Sequence, residues 1–330
     1  MRQQSKRVLM FCVGFFGYEK RIAGAIRAQG YEVDHYDERP NSGFIAKTCV
    51  RYNVGLYRPV IRQYYEDIIQ KNRDKHYDYV LVVKGEAVNE AIVGMLRAAY
   101  PDAKFVLYLW DSAANIPDCE NRMKLYDRVL TFDPADAEKY RIAYLPIPYD
   151  ESSRAYNVRD EYRYDAAFIG TAHSVRPRVV KQIQEVCHRQ GRTMFVYFYS
   201  PHIFVYLFNK LTNPDYRWIT LKEVHFQALS AEQVNEIYGN SRCVLDIEHP
   251  KQSGATTRPI EMLPMGKKII TTNRHVKDFP FYNENNFCIV DRDTPEVNPQ
   301  FWDKVHIPAT EEILRQYAPS EFVRNLFAFE

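Results

Sequence analysis

Residues 7–36 read RVLMFCVGFFGYEKRIAGAIRAQGYEVDHY, and the alternation of apolar and polar positions in this stretch decides the fold. Arg7 to Phe16 is a near-continuous apolar run, the pattern of a buried strand. Tyr18 to Gln29 has helical spacing and stops at Gly30, which suits a helix C-cap, and Tyr31 to Tyr36 is a second strand. The same rhythm continues outward. A helix is expected from about Pro59 to Lys71, with Val60, Ile61, Tyr64, Ile68 and Ile69 on its inner face. Strands follow at Tyr79 to Val83, Phe105 to Leu109 and Arg128 to Phe132, separated by helical segments. Short apolar strands alternating with amphipathic helices give parallel sheets covered on both faces, an α/β architecture.

Residues 150–163, DESSRAYNVRDEYR, are charged and lack apolar periodicity. A new strand begins at Ala166-Ala167-Phe168-Ile169, so the expected division is a first domain over 1–155 and a second over 156–330. The second half repeats the layout. A helix from Arg178 to Arg189 carries Val179, Val180, Ile183, Val186 and Cys187 inward, and a strand follows at Met194 to Tyr199. Ser230 with Gln233 is a capping-box signature before the helix of Val234, Ile237 and Tyr238. Strands Cys243 to Ile247, Lys268 to Thr272 and Phe287 to Val290 complete two Rossmann-like domains facing a central cleft.

A length of 330 residues, 46% hydrophobic and 26% charged, suits two globular domains of roughly 150 residues each. The net charge of +2 gives no electrostatic basis for nucleic-acid binding. Six scattered cysteines, Cys12, Cys49, Cys119, Cys187, Cys243 and Cys288, lack the CxxC spacing of a zinc or redox centre and read as reduced thiols. The apolar run after the basic N-terminus is too short for a signal peptide or spanning helix, so a cytoplasmic protein without a transmembrane segment is expected. The most apolar stretch, Met194 to Leu211, is broken by Ser200-Pro201 and reads as strand plus helix in preference to a membrane-touching element.

Open α/β sheets bind ligands beyond the carboxyl ends of their strands, so residues that follow strands are the candidates. Ile169 to Arg176 places Gly170, Thr171 and Arg176 there; the competing reading is an ordinary strand-to-helix turn. Ser253 to Glu261 is the richer constellation. With Pro259 expected at the first helical position, helix-start amides, Gly254, Thr256 and Thr257 can hold a diphosphate, Arg258 can neutralise it, and Glu261 can accept ribose hydroxyls. The alternative for Glu261 is a cap that complements the helix dipole. In the first half, Glu86 and Asp111 each follow a strand, as a general base requires, though Asp111 also suits an N-cap. Gly14-Phe15-Phe16-Gly17 lacks the GxGxxG spacing and no GxxxxGK[ST] occurs, so neither dinucleotide nor P-loop binding is expected and no cofactor is assigned. Asp291-Arg292-Asp293 has metal-compatible spacing but lies in a polar turn, and no metal site is assigned to it.

The runs Tyr79 to Glu86, Leu107 to Ser112 and Leu130 to Asp133, with the block from Ser253 to Asn273, resemble bacterial lipopolysaccharide and capsule glycosyltransferases related to spore-maturation glycosyltransferases. The likeness spans nearly the whole chain, and the block around Thr256, Thr257, Arg258, Glu261 and Gly266 is its most specific part. It implies a GT-B fold that moves sugar from a nucleotide diphosphate, UDP by default, to a glycan or lipid-linked acceptor without a metal. Peripheral membrane association at the inner face belongs to the same expectation. Acceptor contacts then fall to the first domain, with Asp111 or Glu86 as base and the 14–18 turn as an acceptor wall, and the donor falls to the second. Many retaining GT-B enzymes carry glutamates eight positions apart; the position eight before Glu261 is Ser253, so inversion is the expected outcome. A nucleotide-sugar epimerase of the same fold and a non-catalytic sugar-nucleotide or glycan-binding protein are the competing functions.

Overall fold

The computed structural model describes residues 5–14, 17–40, 57–157, 161–248 and 253–329. The chain forms two compact units, one of Met1–Ile147, Lys251–Gly254 and Tyr317–Glu330, the other of Pro148–Pro250 and Ala255–Gln316.

In the first unit, six strands lie in the order β2-β1-β3-β4-β5-β6: β1 (Arg7–Cys12), β2 (Glu32–Tyr36), β3 (Tyr79–Val83), β4 (Lys104–Leu109), β5 (Arg128–Thr131) and β6 (Ala143–Tyr144). Every neighbouring pair is parallel. Successive side chains of a strand point to opposite faces, and both faces are filled. Leu9, Phe11, Val80, Val82, Phe105 and Leu107 enter one core, while Val8, Met10, Leu81, Val83, Val106 and Tyr108 enter the other. Burial on both sides explains why these strands read as continuous apolar runs. Helix α1 (Tyr18–Ala28) covers one face with Ile22, Ala23 and Ile26. On the other, α2 (Arg58–Lys71) buries Ile61, Tyr65 and Ile68.

The face of α2 differs from expectation. Ile61, Tyr65 and Ile68 are spaced i, i+4, i+7 and point inward, whereas Val60 is exposed and Tyr64 reaches sideways to donate to the Asp37 carbonyl at 2.8 Å. Ile61 and Ile68 are common to the expected and observed faces, Tyr64 and Ile69 pack partly buried against the same core, and Tyr65 takes the central place that Val60 does not fill.

The second sheet has the order β12-β11-β10-β7-β8-β9. Its strands are β7 (Tyr164–Thr171), β8 (Met194–Tyr199), β9 (Val224–His225), β10 (Ser241–Asp246), β11 (Lys268–Thr271) and β12 (Phe287–Ile289), again all parallel. The strand order reverses between β7 and β10. The helix expected from Arg178 begins at Arg176 and runs to Arg189, packing Val179, Val180, Ile183, Val186 and Cys187 against Phe168, Cys243 and Leu245. The helix at Ala231–Gly239 carries the expected capping box, with Gln233 N donating to Ser230 Oγ and Ser230 N to Gln233 Oε1.

The units depart from the expected 155/156 division in two ways. Glu151–Tyr156, within the charged stretch, forms a short 3-10 helix packed on the helices at Ala231–Gly239 and Thr257–Met265, so it belongs to the second unit. At the other end, Pro319–Leu326 folds onto α1 and inserts Phe322, Val323 and Leu326 into the first unit's core. That closing helix is strongly amphipathic, but its partner is hundreds of residues away, and periodicity shows only that a helix has an apolar face.

Candidate functional site

The second unit gathers its polar residues at the carboxyl ends of β7 and β10, where the strand order reverses, the place where doubly wound sheets bind ligands. Arg258 is the hub. Its guanidinium donates to the Ile169 carbonyl at 2.8 Å, to Asp246 Oδ1 at 3.2 Å and to the Tyr238 hydroxyl at 3.3 Å. Asp246, the last residue of β10, is wholly buried and also accepts from Thr256 Oγ1 at 2.9 Å and Thr271 Oγ1 at 3.2 Å. Arg176 donates twice to the Ile247 carbonyl, at 3.2 and 3.0 Å. Burial and the neighbouring Arg258 push the Arg176 pKa down to about 10. Arg258 pairs directly with Asp246, while Asp246 and Glu248 act on Arg176 through space.

Helix positions sharpen this. Arg176 is the first residue of its helix and Arg258 the second of the helix Thr257–Met265, and neither first turn contains an acid. A helix N-terminus is already positive and favours anions, so arginines there oppose what helix stability alone selects. Thr256, the N-cap residue, commits its hydroxyl to Asp246 and makes no side-chain cap bond. The two N-termini with their arginines form a positive locus suited to phosphate.

Individual expectations shift. Pro259 is the third helical residue, not the first; its missing N–H still coincides with one of the turn's orphan donors. Glu261 is the fifth, too far along to complete a capping box, which needs the third position. Gly170 is required for close approach, but of protein: a Cβ there would lie 2.9 Å from the Phe168 ring and 3.5 Å from Arg258. Thr171 ends β7 beside Tyr199, and Thr257 opens its helix, half-buried. Gly254 packs closely on its own unit. It belongs to the first unit, where its amide faces Asp133 at 3.4 Å and a Cβ would meet the Phe132 ring at 2.8 Å. Ser253 beside it donates to both oxygens of Asp133, which explains the attachment.

Farther along the same edge, Glu248 accepts from Thr272 and pairs with Arg292, and burial raises its pKa. Asp291 takes the amides of Asp293 and Thr294 and pairs with Arg274, while Asp293 pairs with Arg178. Among the described residues no group of three or more His, Cys, Asp or Glu is arranged to hold a metal ion.

In the first unit, the two candidate acids meet at one cation. Lys84 Nζ lies 3.3 Å from Glu86 and 3.6 Å from Asp111. Lys84 has φ of 82° and Gly85 of 75°; a non-glycine residue in this region is strained and is characteristic of functional turns. The turn is clamped from two sides. Glu38, fully buried, accepts from Gly85 N at 2.9 Å and Ala87 N at 2.6 Å, and Arg122 donates to the carbonyls of Gly85 and Glu86 at 2.8 and 3.1 Å. Burial raises the Glu38 pKa to about 7. Asp111 follows Trp110 at the end of β4. It is about one-third exposed and accepts from Ser112 N and Asn115 Nδ2 at 3.0 and 2.9 Å, so it organises its own turn as well as facing Lys84. Phe15 and Phe16 of the expected acceptor wall lie outside the described residues.

Asp246, Lys84, Arg122 and Glu38 were missed from sequence. Asp246 ends a strand just as Asp111 follows one, and the same signal would have found it. Glu38 sits in DERP, where nothing local marks it for burial.

No family model matches the chain, and no curated protein matches it in sequence. Solved structures do match in fold. A glycosyltransferase from Rickettsia africae ESF-5 is similar with a TM-score of 0.53 at 12% identity, covering 99% of this chain and 95% of that one. Anabaena Alr3699/HepE, solved with UDP and glucose, matches with 0.59 at 10% identity over 98% of both chains. An OtsA apo structure matches with 0.60 at 10% identity over 99% of this chain and 100% of the other. The two parallel six-stranded sheets and their helices are the GT-B architecture.

Proposed function

We propose that the protein is a glycosyltransferase that moves a sugar from a nucleotide diphosphate to a hydroxyl of a glycan or lipid-linked acceptor in cell-surface polysaccharide synthesis. The observation that carries the reading is the pair of helix N-termini, each with an arginine and no acid, at the point of strand reversal in the second unit. That arrangement suits a diphosphate. Arg258 and Arg176 take up charge as the bond between anomeric carbon and phosphate oxygen breaks, which is electrostatic stabilisation by groups already in place. Glu261 and the threonines Thr171, Thr256 and Thr257 are assigned to the nucleotide sugar with them. UDP is the first nucleotide to test, because a fold neighbour was solved with UDP and glucose.

On the acceptor side, a carboxylate takes the hydroxyl proton as the new bond to the anomeric carbon forms, and the configuration inverts. Asp111 is the preferred base, being more exposed than Glu86; Lys84 holds both carboxylates in place. The test is a panel of nucleotide sugars followed by thermal shift, with nucleotide release measured with and without candidate acceptors. A ligand at about 100 times its dissociation constant stabilises by roughly 2.7 kcal/mol. Release of nucleotide only with acceptor supports transfer. Sugar conversion without acceptor supports an epimerase, and binding without turnover supports a non-catalytic protein.

A further inference from the structure

The segment that follows β2, Asp37-Glu38-Arg39-Pro40, is held by its backbone. The Tyr64 hydroxyl of α2 donates to the Asp37 carbonyl at 2.8 Å and the Tyr65 hydroxyl to the Glu38 carbonyl at 2.9 Å. This sets the Glu38 side chain against the turn after β3, where one carboxylate oxygen accepts from Gly85 N at 2.9 Å and the other from Ala87 N at 2.6 Å. Two amides need two acceptors. A glutamine here would offer one oxygen and turn its NH2 toward the second amide, so the pattern selects a carboxylate. Glu38 is nevertheless fully buried, and burial disfavours its charged form. A carboxylate kept in place against its own burial is a mark of functional sites.

What Glu38 holds is the backbone under the two candidate bases. Lys84 has φ of 82° and Gly85 of 75°, and a non-glycine residue in that region persists only where its surroundings over-determine it. Here they do. Lys84 N donates to the Tyr108 carbonyl at 2.9 Å, Arg122 holds the carbonyls of Gly85 and Glu86, and Glu38 holds the amides of Gly85 and Ala87. The turn so fixed puts Lys84 Nζ 3.3 Å from Glu86 and 3.6 Å from Asp111.

We propose that Glu38 is a positioning residue: its carboxylate fixes the 84–87 turn and, through it, the place of Lys84 between Glu86 and Asp111. The inference rests on the proposed transfer, which gives those two carboxylates their role. Protonation converts one of the two acceptor oxygens into a donor, so the turn is held in full only when Glu38 is ionised. Cys12 at the end of β1, Tyr65 on α2 and Tyr126 ahead of β5 also interact with Glu38, and burial raises all three, so they stay protonated near neutrality. Asp37 and Arg39 flank it and pair with each other at 3.6 Å. Within the turn Lys84 favours its charge and Glu86 opposes it, and the balance leaves Glu38 titrating at about 7. Turnover should therefore rise with pH through this ionisation.

Two measurements test the inference. Lys-Gly occurs once in the sequence, at Lys84-Gly85, so carbonyl-labelled lysine with nitrogen-labelled glycine isolates the Gly85 amide in the NMR spectrum of the full chain. In wild type that amide should move downfield as pH rises from 5 to 9, with a midpoint near 7, and in E38Q it should not titrate. In transfer assays, wild-type kcat should rise about tenfold or more across the same range, while E38Q should lack that limb and lie about tenfold to a hundredfold below wild type above pH 8, with donor affinity unchanged. A merely structural role would move the melting temperature and leave the pH limb in place. A wild-type amide that does not titrate, an E38Q protein that keeps the limb, or one that matches wild-type kcat above pH 8 would overturn the inference. If wild type turns over no donor, the transfer reading falls by itself, and the amide titration, which needs no substrate, still decides whether Glu38 holds the turn.

Discussion

Arg258 and Asp246 form an ion pair of 3.2 Å in which the carboxylate is wholly buried and the guanidinium only 15% exposed. The arginine proposed to meet the donor phosphates therefore also compensates a buried charge. Arg258→Ala should cost about 3 kcal/mol of stability, since it takes the buried Asp246 carboxylate's direct ion-pair partner away, and a further 2 to 4 kcal/mol, approximately, of transition-state stabilisation. The two roles separate in a double variant. R258A/D246A should recover part of the stability in chemical denaturation while donor affinity and turnover remain low. Recovery of both would show that Arg258 matters only through the fold.

Glu261→Ala isolates nucleotide recognition. As the fifth helical residue, Glu261 lies beyond the position that completes a capping box, so its loss removes no capping-box bond. Calorimetric affinity for the nucleotide should fall while the melting temperature holds. The opposite pattern, a lower melting temperature with unchanged affinity, would return Glu261 to a structural role.

The parts of the molecule legible in sequence are those governed by local pattern. The strand at Tyr79–Val83 and the capping box at Ser230 and Gln233 follow from period, propensity and caps, and so does the helix that ends at Arg189. What was illegible depends on partners distant in sequence. The closing helix at Pro319–Leu326 could not be assigned to the first unit, because its partner α1 is three hundred residues away. Glycines are hard to read for a related reason. Gly254 read as part of a phosphate cradle, and in the structure a Cβ there would also meet the Phe132 ring; sequence shows that space is needed without showing what fills it. Of the candidate site, the arginines Arg176 and Arg258 come together; Asp246 carries the same strand-end signal as Asp111, but its pairing with Arg258 depends on contacts far apart in sequence.

Glu38 makes stability depend on pH. Its folded pKa of about 7 lies above the ordinary carboxylate value of 4.5, with burial as the main cause and the Gly85 and Ala87 amides and Lys84 opposing it. Between these values the folded state binds the proton more tightly than the unfolded chain, so this contribution to stability is present below about pH 4.5 and is lost as pH rises through 7. The loss reaches about 1 to 3 kcal/mol at up to roughly 1.4 kcal/mol per pH unit. Denaturation at pH 5 and pH 8 should show wild type losing more than Glu38→Gln. Parallel profiles for the two proteins would remove Glu38 as the cause.

Transfer should proceed without a divalent metal. On the proposed reading, Arg176, Arg258 and two helix N-termini meet the departing diphosphate, and their positive charge does the work that a metal does elsewhere. Activity should survive treatment with a chelator. Loss of activity with rescue by magnesium or manganese would contradict this and turn attention back to Asp291 and Asp293.

The base is the sharpest question, because Asp111 and Glu86 share Lys84. An acceptor hydroxyl loses its proton only as the bond to the anomeric carbon forms, so the base must be ionised and within reach of the acceptor. Glu86 is the more enclosed, at 11% exposure, while Asp111 is 34% exposed. Asp111 binds its turn through one oxygen and faces Lys84 with the other. Asp111→Asn keeps the shape of that turn and removes the base, and it should lower turnover by about a hundredfold to ten-thousandfold with donor affinity nearly intact. Glu86→Gln leaves Lys84 paired with Asp111 and should reduce turnover far less. Transfer rates measured beside donor calorimetry for both variants decide the matter. Near-normal turnover in Asp111→Asn rejects the assignment, and a collapse confined to Glu86→Gln moves the role to Glu86. If both variants collapse together with donor affinity unchanged, the two carboxylates act through Lys84 as one unit, and Lys84→Met should then lower turnover to the same degree.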